Sequence, residues 1–387
     1  MSLFSDAPLS RRPHVRRLVL ADYRSYESLD LSVEGQLVAL VGENGAGKTN
    51  ILEALSLLTP GRGLRRADLA ECAREAGSGG WAVSVELEDG DHHVQLGTGR
   101  EAGEGAQPQS RKCRIDRAPV GSARAFADHV RVVWLTPSMD GLFTGPAGDR
   151  RRFLDRLVLA VDAEHGSRVS ALEKALRNRN RLLEDHFSEH SWLDAAEHEI
   201  AQIAVAVAAA RSETVSRLAG LIHESRAKET PFPWADLALA GEIEAMIPDR
   251  PALDVEDHYR NLLRANRARD AAAGRTLIGP QAADLVVRHG PKNADAARSS
   301  TGEQKALLVG LVLAHAQLVA SMTGIVPLVL LDEIAAHFDP LRRAALYETL
   351  EMLGAQVWMT GADAHAFGEV ASRATMISVT PGHALPL

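Results

Sequence analysis

Gly42-Glu43-Asn44-Gly45-Ala46-Gly47-Lys48-Thr49 decides how the rest of this chain is read. It fits the spacing Gly-x4-Gly-Lys-Thr in full, follows the apolar run Leu37 to Val41 and precedes the helical pattern Ile51 to Leu58. That is the strand, loop and helix context a phosphate-binding loop requires. Glycines let backbone N–H groups converge on phosphate oxygens at the positive end of a helix, Lys48 reaches the outer phosphates, and the Thr49 hydroxyl is placed to ligate magnesium. The expected cofactors are ATP and Mg2+.

A second string, Leu328-Val-Leu-Leu-Asp332-Glu333, is four apolar residues ending in two acids. A buried strand of this kind delivers Asp332 to a magnesium shell and Glu333 to a water facing the terminal phosphate. Glu333, with Lys48, is therefore the expected catalytic pair.

With 387 residues, 45% of them hydrophobic, the chain can form two domains with real cores. Its net charge of −8 means that any nucleic-acid partner must be met by a local basic patch. Cys72 and Cys113 share no metal-type spacing and read as reduced thiols, which points to the cytoplasm. Arg11-Arg12 resembles a twin-arginine signal, but the apolar stretch after it stops at Asp22. The longest apolar run, Ala306 to Ala320, carries His315 and Gln317 and reads as a buried helix, so no membrane span is expected. No zinc-type spacing occurs among the 15 histidines, and the five tryptophans read as core anchors.

Residues 14–41 alternate as strands, and Trp81 to Glu88 with His92 to Leu96 form a hairpin around Asp89-Gly90. Gly97 to Ser110 reads as a loop. From about Asp149 the pattern turns helical: Leu172, Leu176, Leu183 and Phe187 share one face, and Ile200, Ile203, Val207, Leu218 and Ile222 another. A further helix is expected near Asp254 to Asp270, and strands return at Arg275 to Ile278 and Leu285 to Arg288. Because the two halves of the nucleotide site flank the helical block, the expected organisation is an α/β P-loop ATPase head formed by 1–148 and 274–387. Residues 149–273 are then an inserted helical arm.

Ser299-Ser300-Thr301-Gly302-Glu303-Gln304 precedes the buried helix. Lying shortly before Asp332 in a chain with this P-loop, it resembles the signature motif of ABC-type ATPases, whose heads sandwich ATP between one P-loop and the other head's signature. With one copy of each, the resemblance implies a homodimer on ATP binding, with Ser300 and Gly302 acting across the interface. Within that superfamily the chain resembles the RecF family of DNA-repair ATPases, on four stretches: Leu18 to Tyr26, Gly47 to Leu55, Thr136-Pro137 with Arg151-Arg-Phe-Leu-Asp155, and Arg179-Asn-Arg-Asn-Arg-Leu-Leu183.

The resemblance implies an SMC-like head with a helical arm, and ATP-dependent binding of gapped or junction DNA in recombinational repair, with RecO and RecR as partners. By the same resemblance Arg24 and Ser25 lie near the nucleotide, and Asp339 belongs to a D-loop that crosses the dimer. Three departures stand out. Gln281 and Ala282 replace a usual histidine and arginine; Glu303 replaces glutamine; and neither a Q-loop glutamine in Trp134 to Ser138 nor a switch histidine by Thr360 is present. Thr360 is then the residue left to orient water, and slow hydrolysis is expected.

Arginine recurs in bursts, at 11–17, 62–66, 150–152 and 177–181. Such runs either meet phosphate or form ion pairs, and Arg62, Arg65 and Arg66, just after the P-loop helix, are the set expected on DNA. The competing reading, an ATP-hydrolysing subunit of a membrane transporter, needs the signature roughly a hundred residues after the P-loop, whereas Gly302 lies 260 residues after Gly42. A structural SMC tether needs far longer heptad arrays than residues 149–273, and a P-loop kinase leaves the signature and Glu333 unexplained.

Overall fold

The computed structural model describes residues 10–103, 110–185, 190–226, 230–333 and 338–387. The chain divides into two compact units, one formed by Met1–Asp140, Glu229–Phe232 and Leu308–Leu387 and the other by Gly141–Lys228 and Pro233–Leu307.

In the first unit, alternation of apolar and polar residues produces an antiparallel sheet. Its strands are β1 (His14–Tyr23), β2 (Tyr26–Ser32), β4 (Trp81–Asp89), β5 (His92–Arg100), β6 (Lys112–Ile115) and β7 (Ala118–Val120), in the order β2-β1-β4-β5-β6-β7. On β4 the residues Trp81, Val83, Val85 and Leu87 are buried while Ala82 between them faces outward, as a half-buried strand requires. Strand β5 runs on through Gly97 and Gly99 to Arg100. The loop expected from Gly97 therefore starts later, because both glycines are paired in the ladder with Ser84 and Ala82. Residues 104–109 of that expected loop lie outside the described residues.

The second sheet of this unit contains β3 (Leu37–Val41), β8 (Val132–Leu135), β12 (Leu328–Leu331), β13 (Val357–Gly361), β14 (Thr375–Thr380) and β15 (His383–Pro386), ordered β15-β14-β3-β13-β12-β8. All its pairs are parallel except β14 with β15. Strands β8 and β12 are apolar at every position and fully buried, the pattern of a parallel sheet covered on both faces. Gln356 ties the two sheets together: its Oε1 accepts from the Val15 N–H at 2.8 Å, and its Nε2 donates to the Val15 carbonyl at 3.0 Å and the Gly35 carbonyl at 3.2 Å.

The second unit is built on helices α2 (Ala147–Val161), α3 (His165–Glu184), α4 (His190–Ser225), α5 (Ala252–Ala265) and α6 (Arg267–Ala273). Leu172, Leu176, Ile200, Val207 and Tyr259 form its core, and Leu218 and Ile222 are buried as expected; Phe187 lies outside the described residues. The unit also contains a sheet ordered β11-β10-β9, from β9 (Ala235–Ala240), β10 (Asp284–His289) and β11 (Ala294–Asp295). Strand β9 went unforeseen, and the expected strand at Arg275 to Ile278 does not form. There the Asn180 side chain takes the Thr276 N–H at 3.0 Å and Asp270 takes that of Leu277 at 3.1 Å, so those donors serve side chains instead of a ladder.

Helix α7 (Thr301–Thr323) begins in the second unit and continues into the first. It is longer than the apolar run it contains and would by length and composition alone cross a membrane, yet 72% of its most apolar window is buried within the protein. Helices α1 (Lys48–Ser56) and α8 (Pro340–Leu353) belong to the first unit.

Candidate functional site

The parallel sheet places β13 between β3 and β12. The Gly42–Thr49 loop leaves the carboxyl end of β3, the acid pair leaves that of β12, and Thr360 stands near the end of the strand between them. Crevices at the carboxyl ends of such strands are where ligands bind in open α/β sheets.

The loop closes around α1 through glycine. Gly47, at the N-terminal cap of α1, has φ 112°, and a β-carbon there would stand 2.8 Å from the Tyr26 hydroxyl and 2.9 Å from Ser25 Oγ. Gly42 lies against the backbone of β14, where a β-carbon would meet the Val379 carbonyl oxygen at 2.1 Å. Lys48 is buried, and its Nζ donates to the Gly42 carbonyl at 2.6 Å and the Glu43 carbonyl at 2.9 Å. Burial lowers the Lys48 pKa, against the opposing pull of Glu333 and then Asp332.

Thr49 Oγ1 donates to Asp332 Oδ1 at 2.9 Å, and Thr360 Oγ1 donates to the same oxygen at 2.9 Å. The Glu333 N–H in turn donates to Thr360 Oγ1 at 2.8 Å. Glu333 has φ 53°, a left-handed conformation that costs a residue with a side chain about 1–2 kcal/mol and turns the chain sharply after the strand. Thr360 was expected to orient water, but here it is engaged by the acids. Its one hydroxyl proton is held by Asp332, so it braces the two acids instead of donating to water.

Lys48, Thr49, Asp332 and Glu333 thus converge with the loop, and Ser25 joins them by accepting from Asn50 Nδ2 at 2.9 Å. Arg24 holds the P-loop helix itself: its guanidinium grips Glu53 of α1 through two bonds of 2.7 and 2.6 Å, and that bidentate bond raises the arginine pKa. Arg65 also reaches Glu53, at 3.0 Å, and Asn50 Oδ1, at 2.7 Å, while Arg62 pairs with Asp68 at 2.6 Å. Two of the three arginines assigned to DNA therefore hold carboxylates of their own unit; Arg66 has φ 57° in the turn after α1. The sequence reading also missed Arg111, which reaches the carbonyls of Leu57, Thr59 and Gly61 and closes the C-terminal end of α1.

In the second unit the signature forms a capping box at the start of α7. The Ser300 N–H donates to Glu303 Oε2 at 3.0 Å, and the Glu303 N–H donates to Ser300 Oγ at 3.4 Å. Lys292 Nζ holds the other Glu303 oxygen at 2.5 Å; its hydrogen bond, followed by the Ser300 bonds, depresses the Glu303 carboxyl to about 2. The glutamate that departs from the usual glutamine thus has a partner of its own. Thr301 and Gly302 are exposed beside it. Asp339 caps α8, its Oδ1 accepting from the Arg342 N–H at 3.0 Å; Ala336 and His337 before it lie outside the described residues.

The two arm strings that carry the resemblance prove structural. Arg150 grips Asp284 through 2.8 and 2.7 Å bonds, and Arg151 donates to the Ala283 carbonyl at 2.7 Å. Asp155 accepts from His165 at 2.8 Å and from Arg211 at 2.8 and 2.9 Å. Arg179, grouped in sequence with the DNA candidates, is fully buried between Glu197 at 3.0 Å and Asp270 at 2.8 Å. Gln281, in place of the usual histidine, donates to the Ile278 carbonyl at 2.8 Å.

Fold and site together define a P-loop head of the ABC/SMC type. The sequence profile described as the RecF/RecN/SMC N-terminal domain matches residues 14–383. The DNA replication and repair protein RecF of Mesorhizobium japonicum is 52% identical over 370 residues, covering 95% of this chain and 97% of the relative; that of Allorhizobium ampelinum is 50% identical over 375 residues, covering 97% and 99%. The chain belongs to the RecF family of DNA replication and repair proteins. The fold agrees: a structure of the recombination mediator protein RecF with ATP, from the RecFOR pathway, superposes with a TM-score of 0.84 at 17% identity and full coverage of both chains. An SMC head bound to the C-winged helix domain of ScpA gives 0.52 at 13% identity, covering 97% of each chain.

Proposed function

We propose that this chain is an ATP-dependent DNA-binding protein of recombinational repair and replication restart, which dimerises on ATP, binds gapped or junction DNA and hydrolyses ATP slowly. The observation that carries the proposal is the hydrogen-bonded line from Thr49 through Asp332 and Thr360 to the Glu333 N–H, set beside a buried P-loop lysine. Family membership supports the repair assignment, and the RecFOR pathway of the solved relatives supports RecO and RecR as partners.

The loop N–H groups and Lys48 bind and orient the phosphates. The Thr49 hydroxyl and the Asp332 carboxylate fit a magnesium ion, which takes one or two protein ligands and completes its shell with water and phosphate; it would neutralise charge on the phosphates. Glu333 is the remaining group able to accept a proton from attacking water. Hydrolysis is slow in this reading because Thr360, the residue in the switch position, already donates to Asp332. Ser300 and Gly302, exposed at the head of α7, meet the second head's nucleotide, and residues 149–273 form the arm.

Anisotropy of labelled gapped DNA with and without Mg-ATP, run beside light scattering, tests the proposal. ATP should produce dimers and tighten DNA binding. Lys48→Ala should abolish ATP binding, and Ser300→Arg should bind ATP yet remain monomeric and lose the DNA response. Equal DNA affinity with and without ATP in the wild type would refute ATP-dependent DNA binding.

A further inference from the structure

The outward face of the antiparallel sheet in the first unit carries a trough of about 590 Å³ that the nucleotide reading does not use. Its floor is nearly stripped of side chains. Ala21, Ala82 and Gly99 form one cross-strand row ending at Lys112, and Ser84 and Gly97 form the next, ending at Arg114. Gly97 and Gly99 leave the ladder bare along β5, where a strand facing solvent ordinarily carries polar side chains.

The rim is cationic on a chain of net charge −8. Of the two carboxylates lining the trough, Glu101 pairs with Lys112, and Asp22 pairs with Arg74 at 2.8 Å. Arg100 shares the face of its buried ladder partner Trp81 and donates to the Gly79 carbonyl at 3.0 Å. Arg114 and Arg117 are exposed, with neither an ion pair nor a side-chain hydrogen bond among the described residues. Two uncompensated cations, Arg114 and Arg117, thus stand along one side of a floor of small residues.

Spacing selects the occupant. Arg114 and Lys112, whose pair with Glu101 is exposed and so exchangeable, stand two residues apart on one face of β6, a repeat of about 7 Å, which is also the repeat of alternate side chains in an extended peptide. A peptide lying along β6 would turn one set of side chains toward the cations and the other toward Ala21 and Ala82. A single-stranded nucleic acid would instead need exposed aromatic platforms. The one aromatic in the lining, Trp81, is buried with its indole N–H on the Leu69 carbonyl at 2.6 Å.

We propose that this trough binds an extended segment of a partner protein in which acidic residues alternate with aliphatic ones, with Arg114 and Arg117 receiving the carboxylates and the Ala21, Ala82, Gly97 and Gly99 floor receiving the apolar side chains. This site is separate from the P-loop and goes beyond the reading above.

The test is fluorescence anisotropy of the full-length protein with a labelled hexapeptide of alternating Glu and Val. Saturable, salt-sensitive binding is expected, weakened at least about tenfold by Arg114→Ala with Arg117→Ala. Gly97→Leu should abolish it by filling the trough with no change of charge. That backbone accepts a side chain, since a β-carbon at Gly97 has Arg114 Cβ as its nearest neighbour, at 3.8 Å, and thermal melting of the variant verifies the fold. Three results would each overturn the proposal: equal binding of an all-Glu hexapeptide, peptide binding that survives Gly97→Leu, or a twelve-nucleotide oligo-dT that displaces the peptide with equal or higher affinity.

Discussion

Both units use arginine to hold acids on helices, and they differ in how much water reaches the bond. In the first unit Glu53 is fully buried, but Arg24 and Arg65, which hold it, are 19% and 38% exposed. In the second, Arg179 and Arg211 are 0% and 4% exposed, and so are most of their partners. A bond reached by solvent can be exchanged for another anion at small cost, whereas a desolvated one is part of the architecture. The arginines around the P-loop helix are thus free to trade partners, and those of the second unit are not.

Arg179→Ala should show the largest effect, because it leaves the buried Asp270 with no cation among the described residues and Glu197 with Arg267 alone. A loss of about 3–5 kcal/mol in denaturant unfolding is expected; a loss below about 1 kcal/mol would erase the distinction between the units.

Asp155 sharpens it through pH. Burial pushes its pKa up, but the bonds from His165 and Arg211 outweigh that and hold it below the usual carboxylate value of 3.8. Because the folded value is depressed, its stabilisation is complete above the ordinary value and is lost as pH falls through the lowered one. Asp155→Asn should therefore destabilise the protein at pH 7 by about 2–4 kcal/mol and by much less near pH 2. Calorimetry at the two pH values checks this, and an equal loss at both would remove the charge from the explanation.

Arg65→Ala should cost about 1 kcal/mol or less, since Arg24 keeps its bidentate hold on Glu53. A loss matching that of Arg179→Ala would place the two units in one class. The smallest effect belongs to Glu303→Gln. Glutamine can still close the capping box, so the unfolding midpoint at pH 7 should not move measurably; a clear drop would make the Lys292 pair a structural one.

The same contrast explains what could be read in advance. The P-loop and the Asp332-Glu333 strand were legible because glycine spacing and unbroken apolar runs are local patterns. The basis of Arg151-Arg-Phe-Leu-Asp155 was not, because its meaning lies in Arg211 and the Ala283 carbonyl, far along the chain. Arg179 was grouped with surface arginines since nothing in Arg-Asn-Arg announces that Glu197 and Asp270 will surround it. Strand β9 escaped because Ala235 to Ala240 alternates only weakly and gains its ladder from β10. Thr360 was noticed for the histidine it replaces, but its bond to Asp332 depends on β13 lying between β3 and β12, a matter of topology.

That strand order has a bearing on how the protein is made. The P-loop strand β3 is flanked by β13 and β14, and Gln356, which stitches β13 to the first strand, is 341 residues from Val15. As the chain leaves the ribosome amino end first, Leu37 to Val41 emerges without either neighbour. A nascent chain halted before Val357 would hold the complete Gly42–Thr49 loop and still lack both strands that flank β3. Acquisition of the nucleotide site is thus tied to translation through Thr380, and prematurely terminated fragments should be inert rather than dominant competitors for ATP.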